Sequence, residues 1–283
     1  MLKACLNGAR GPAEHPAVPV TPAELAADAA RCAGLGAGAV HVHPRDDTGR
    51  ESLHPSVIAA ALAAIRAACP GLPVGVSTGA WIEPEPAARV AAVRAWTVLP
   101  DFASVNAHEP GAEAVAAALH ERGVLVEAGL WTVDAVEAYA RWRVPAGRIL
   151  VECMADDPAV ALADADAMLA ALAAPLGTAV PAGTVVPGET AVPAGTAVPA
   201  GTVVPGGTVP AGAAVPARSL VPAGMAVPVL LHAEGPATWP VLTEAVRRGL
   251  SRRIGLEDTL LLPAGVVAAD NAALVAAAVT AGA

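Results

Sequence analysis

The chain has 283 residues, a formal net charge of −9 and a sequence isoelectric point near 5.2, and this acidity without a basic stripe argues against a nucleic-acid surface. Hydrophobic residues make up 55% but only five Trp, one Tyr and one Phe are aromatic, so the core must be built from many small Ala, Val and Leu side chains. No uninterrupted apolar run reaches the ~18 residues of a membrane span, the N-terminus lacks a signal-peptide core, and the cysteines form no C-x-x-C pair, which together point to a cytoplasmic protein with reduced thiols.

In chain order, the first predicted strand is Lys3–Leu6. The first helix opens at Thr21-Pro22-Ala23-Glu24, with Thr at the N-cap, Pro at the first helical position and Glu three residues on, a capping box. Strand Ala39–His43 precedes a helix over 55–69, and Val74–Ser77 one over 85–95. Phe102–Val105 leads to 111–122, Leu125–Glu127 to 132–143, and Ile149–Glu152 to 157–173. Segment 177–228 then breaks the alternation with hexapeptides of GTAVPA and GTVVPG type. Hexapeptide repeats can signal a parallel β-helix. Here the recurring proline removes a ladder donor in every unit, so the segment reads as a flexible low-complexity insert. Strand Val229–His232, helix 236–249, strand Arg253–Glu257 and helix 267–281 complete the chain. Eight strand–helix units predict a single (β/α)8 TIM barrel over residues 1–283, with the insert entering before strand seven at the barrel's N-terminal face.

The polar residues cluster at the C-terminal ends of these strands, where barrels of this kind build their sites. Asn7 follows strand one. His41 and His43 end strand two, and strand alternation points both imidazoles to one side, a pairing suited to a divalent metal. Glu257, at the end of strand eight, is the best third ligand. Arg253 is spaced to share its inward face, and a buried arginine needs a partner such as Asp258 or a substrate carboxylate. Gly75-Val76-Ser77-Thr78-Gly79 fits the G-x-S-x-G nucleophile elbow formally. Residues 80–84 delay the helix, so Thr78 and Gly79 read better as donors to an oxyanion. Ser104, Asn106 and Glu127 end strands four and five. Arg45 and Arg50, after strand two, are placed to meet an anionic group.

Together, H-x-H-x-R-D-x-x-G-R at 41–50, S-T-G at 77–79, S-V-N at 104–106, V-E at 126–127 and R-I-G-L-E-D at 253–258 resemble the β-keto acid cleavage enzyme family, whose best-known type is the 3-keto-5-aminohexanoate cleavage enzyme. The resemblance spans the chain outside the repeats. It implies a (β/α)8 barrel, commonly a tetramer, that binds Zn²⁺ and condenses a β-keto acid with acetyl-CoA to give acetoacetate and a new acyl-CoA. It assigns His41, His43 and Glu257 to the metal and Asp258, Arg253 and Ser77 to proton transfer. Gly79, Ser104, Asn106 and Glu127 would line the substrate pocket, and Asn7, Arg10 and Thr78 are placed beside them as substrate-binding residues. One departure is informative: the family's T-G-A-E after strand one is Asn7-Gly8-Ala9-Arg10 here, and a cation in place of the acid favours a neutral or acidic substrate tail. A competing reading is a metal-dependent hydrolase of the amidohydrolase type, with His108, His232 and Asp258 completing the metal set. A third is a non-catalytic barrel whose repeats are the functional element.

Overall fold

The computed structural model describes residues 1–174 and 227–282. The repeat segment 177–228 lies outside the described residues apart from its last two. The elements are β1 Leu2–Cys5, α1 Pro22–Gly34, β2 Ala39–Val42, α2 Pro55–Ala68, β3 Val74–Ser77, α3 Pro86–Ala95, β4 Phe102–Asn106, α4 Ala112–Glu121, β5 Leu125–Leu130, α5 Val133–Ala140, β6 Arg148–Cys153, α6 Pro158–Ala173, β7 Val229–Ala233, a short 3-10 turn Gly235–Ala237, α7 Thr238–Arg247, β8 Arg252–Ile254 and α8 Asn271–Thr280. Among the described residues no helix is long and apolar enough to cross a membrane.

The strands form one sheet in the order β7-β6-β5-β4-β3-β2-β1-β8, with every paired neighbour parallel. The sheet closes on itself just before β8, where the Leu231 N–H donates to the Ser251 carbonyl at 2.9 Å and the Ser251 N–H to that of Val229 at 3.1 Å. The expected (β/α)8 barrel is therefore present.

Local chemistry explains the helix starts. Thr21 accepts from the Glu24 N–H, and the Glu24 carboxylate accepts from the Thr21 N–H, so the capping box forms as read. Asp157, Thr132 and Asp270 cap α6, α5 and α8 more simply, each with a side-chain oxygen that accepts from a first-turn N–H. Proline occupies the first turn of α1, α2, α3 and α6, where its missing N–H costs nothing.

The parity of the strands divides the interior in two. Residues such as Ala4, Val40, Val74, Val76, Ala103 and Val151 face outward and pack with the helices into one apolar core. Their neighbours turn into the barrel, and many of these are polar. Near the barrel floor Lys3, wholly buried, donates to Glu127 at 2.6 Å, and Arg148 donates to the other Glu127 oxygen at 2.9 Å. Both cations lie over the Phe102 ring, at 5.5 and 5.1 Å from its centroid. Gly75 makes room for that ring, since a Cβ there would lie 2.0 Å from it.

Several boundaries shift by a few residues, and two of the shifts bear on the site. β5 runs on to Leu130, which leaves Glu127 in mid-strand instead of at its mouth. β8 stops at Ile254, so Glu257 and Asp258 stand on a turn. That turn passes so close to β1 that a Cβ on Gly255 would lie 1.8 Å from the Cys5 carbonyl oxygen. Only a glycine fits there, and the close approach draws the turn over the barrel's end.

Candidate metal and active site

His41 is the last-but-one residue of β2 and His43 follows the strand. Their Nε2 atoms face one another at 3.1 Å. Glu257 completes the group, its Oε2 lying 3.8 Å from the His43 Nε2. One ligand atom from each of the three lies within 4.8 Å of the others. The donor set fits a divalent ion. Two nitrogens each bound at about 2.0–2.1 Å in a tetrahedral site lie roughly 3.3 Å apart, close to the observed separation. The buried Glu257 Oε2 has no hydrogen-bond partner. Burial, with the nearby His43, Lys3 and Arg253 charges, pushes the His41 imidazole well below its usual range, so it is neutral, the form that ligates. Three protein ligands leave an open position for a substrate oxygen.

Asn7 holds the second histidine in place. Its Nδ2 donates to the His43 carbonyl at 2.9 Å, and its Oδ1 accepts from the His43 N–H at 2.9 Å. Asn7 does not line the cavity; it acts from behind the ligand. Asn7→Ala leaves both buried backbone groups unpaired, so it is expected to cost about 1–3 kcal/mol and to weaken metal binding; urea denaturation and metal titration of the variant test this.

Arg253 stands beside Glu257. Its Nη2 reaches Glu257 at 2.9 Å and Asp258 at 2.7 Å, and its Nε donates to Asp258 at 2.9 Å. Residues 253 and 257 do meet, as expected, but across the turn and not by strand alternation. Asp258 is fully buried, and burial outweighs the attraction of Arg253 and raises its carboxyl to about 8. His232 extends the chain of contacts: its Nδ1 lies 3.6 Å from Asp258 and its Nε2 pairs with Glu152 at 3.0 Å. Burial, then the Arg253 charge, holds His232 neutral, and burial raises Glu152.

A cavity of about 380 Å³ opens over these groups. His41, His43, Glu257, Arg253, Ser77, Ser104, Asn106 and Arg10 all line it. The Arg10 Nη1 pairs with Glu14 at 3.0 Å and its Nε donates to the Glu257 carbonyl at 3.4 Å. Besides Asn7, three expected substrate-binding residues, Thr78, Gly79 and Glu127, lie elsewhere. Thr78 spends its hydroxyl on the Ser104 carbonyl at 2.7 Å, and the Gly79 N–H donates to the Ser77 Oγ at 3.3 Å, so neither is the free oxyanion donor expected. Gly79 instead makes room for Trp81, whose ring a Cβ would meet at 2.3 Å. Glu127 is locked in the floor with Lys3 and Arg148; its place in the pocket is corrected, because β5 carries it three residues below the strand's end. Arg45, expected to face an anion, donates to the carbonyls of Gly8, Arg10 and Gly49 and ties two loops together. Arg50 donates to Thr48 on its own loop.

The sequence reading missed Glu51, which contacts the Nδ1 of His43, and five cavity residues: Glu14, Trp81, Trp131, Met154 and Glu234. The turn residues Asp46 to Gly49 were the available signal for Glu51, since they fold the chain back toward the histidines. His108, a candidate ligand in the hydrolase reading, is exposed and packs on Trp131 with ring centroids 4.7 Å apart. Among the described residues it does not join the His41–His43–Glu257 group.

A family model described as beta-keto acid cleavage enzyme matches residues 1–185 and 189–283. The chain belongs to the β-keto acid cleavage enzyme family. It is similar in fold to ObcA in its apo structure, at 16% identity and a TM-score of 0.56 over 92% of this chain and 61% of that one. It is likewise similar to a binary complex of ObcA with oxaloacetate (16%, 0.56, 92% and 62%) and a ternary complex with a C4-CoA adduct and oxalate (14%, 0.57, 92% and 62%). This family member therefore spans about three fifths of ObcA's length. An N-acetylmannosamine-6-phosphate 2-epimerase from Clostridium perfringens shares the fold at 12% identity and a TM-score of 0.50, over 91% of this chain and 87% of that one.

Proposed function

We propose that this family member is a zinc enzyme that condenses a β-keto acid with acetyl-CoA, releasing acetoacetate and a new acyl-CoA. The observation that carries the reading is the convergence of the two imidazoles and Glu257 at the floor of a cavity that Arg253 also lines. The solved complexes of ObcA with oxaloacetate and with a C4-CoA adduct support the substrate classes.

A bound divalent ion at His41, His43 and Glu257 supplies a Lewis acid for the keto oxygen. Arg253, steadied by Asp258, presents a fixed cation to the cavity and holds the substrate carboxylate. Asp258, Arg253 and Ser77 form the group that moves the proton on the carbon between keto and carboxyl groups. Removing that proton makes the carbon nucleophilic toward the acetyl thioester, and the CoA thiolate released there then takes up the cleaved acyl group. The proton returns to the same carbon of acetoacetate. A carboxyl raised to about 8 can hold a proton near neutral pH and give it back. Ser104 and Asn106 orient the substrate from the β4 side of the cavity. Arg10 favours a neutral or acidic tail, with Glu14 tempering its charge.

The test is a screen of β-keto acids with acetyl-CoA, reading acetoacetate and acyl-CoA by mass spectrometry. Turnover of some acid, abolished by a chelator and restored by Zn²⁺, is expected. Metal-dependent loss of a substrate without any CoA requirement would move the assignment to a hydrolase.

A further inference from the structure

The two histidines of the metal group are not equally supported. The Nδ1 of His41 has no hydrogen-bond partner. The Nδ1 of His43 contacts Oε1 of Glu51, which is largely buried, at 13% exposure of its side chain. The same Glu51 oxygen accepts from the Trp81 Nε1 at 3.2 Å. Trp81 lines the cavity, and its indole lies nearly parallel to the His43 ring, 18° apart with centroids at 6.2 Å.

Glu51 is delivered by a built hairpin. Arg45 and Glu51 pair antiparallel, the Asp46 N–H donates to the Arg50 carbonyl at 2.8 Å, and the Ser52 N–H to the Pro44 carbonyl at 2.9 Å. The Asp46 carboxylate accepts from the Thr48 N–H, the Thr48 hydroxyl and the Arg50 N–H, and Gly49 takes the left-handed conformation the turn needs, at φ 81°. Asn7 meanwhile holds the His43 backbone on both sides. A neutral imidazole that donates its Nδ1–H to a carboxylate presents Nε2 bare, with its ring fixed in direction. That bare Nε2 is the atom facing His41 and Glu257.

We propose that Glu51 is the positioning residue of the metal centre, fixing the tautomer and aim of His43, and that through Trp81 it couples this ligand to the cavity wall. The proposal rests on the metal reading above. It adds that a residue outside the ligand set contributes to affinity for the ion.

The test measures Zn²⁺ affinity of the metal-depleted chain by competition with a chelating dye, beside long-range ¹H–¹⁵N spectra that report the His43 tautomer without metal. Glu51→Ala is expected to weaken Zn²⁺ by about 10- to 100-fold and to lose the Nδ1–H tautomer. Glu51→Gln, which keeps an acceptor without the charge, is expected to retain the tautomer and to fall between the two in affinity. Equal thermal melting of the metal-free forms separates this loss from unfolding. Wild-type binding with an equally tight Glu51→Ala overturns the proposal while leaving the metal reading intact. A wild-type chain that takes up no Zn²⁺ overturns the metal reading and the proposal with it.

Discussion

His41→Ala is expected to release the metal and abolish turnover while the barrel stays folded, and Glu257→Ala is expected to do the same. Both side chains stand at the mouth of the barrel and line its cavity, so truncation opens a space that water can enter, and the apolar core between sheet and helices is untouched. Each leaves only two of three ligands, too few to retain a catalytic ion through purification. Glu257→Ala also removes one of the carboxylates around Arg253, while Asp258 keeps that guanidinium paired. Elemental analysis beside circular dichroism checks the pair. Wild-type metal content in both variants would refute the ligand assignment.

Lys3→Met is expected to cost about 3–5 kcal/mol of stability, towards the lower figure because Arg148 remains. The loss comes from leaving Glu127 buried with a single counter-charge, not from the value of the Lys3–Glu127 pair itself. Burial alone would raise the Glu127 carboxyl, but Lys3 and Arg148 outweigh it and hold it below its ordinary 4.5. A depressed folded value stabilises the protein above pH 4.5 and ceases to do so as pH falls through that value. The gap between wild type and Lys3→Met should therefore be full at neutral pH and narrow in acid, where Glu127 is protonated in both. Urea denaturation across pH checks this, and a gap that widens in acid would contradict it. The double change Lys3→Met with Glu127→Leu should recover part of the loss.

The fold was legible because strand and helix alternate without interruption outside the repeats, and the first helix announces its start with a capping box. The metal group was legible because His41 and His43 obey strand parity and because the turn at Gly255 brings Glu257 to the strand ends. What was not legible depends on contacts distant in sequence. Lys3, the chain's only lysine, finds Glu127 on the far side of the barrel. Glu127 was misplaced because an acid after two apolar residues resembles a strand end, and nothing local reveals that β5 continues through Gly129 to Leu130. Thr78 was taken for a donor to substrate because its hydroxyl looks free in sequence; the β4 backbone takes it. Glu51 was passed over because it meets His43 only once the hairpin folds it back.

X-ray absorption of the zinc-loaded protein tests the central claim most directly. About one Zn²⁺ per chain is expected, in a light-atom shell with two imidazoles and no sulfur, and with one imidazole in the His41→Ala protein exposed to excess zinc. A shell with thiolate, or with its imidazole count unchanged in that variant, would contradict it.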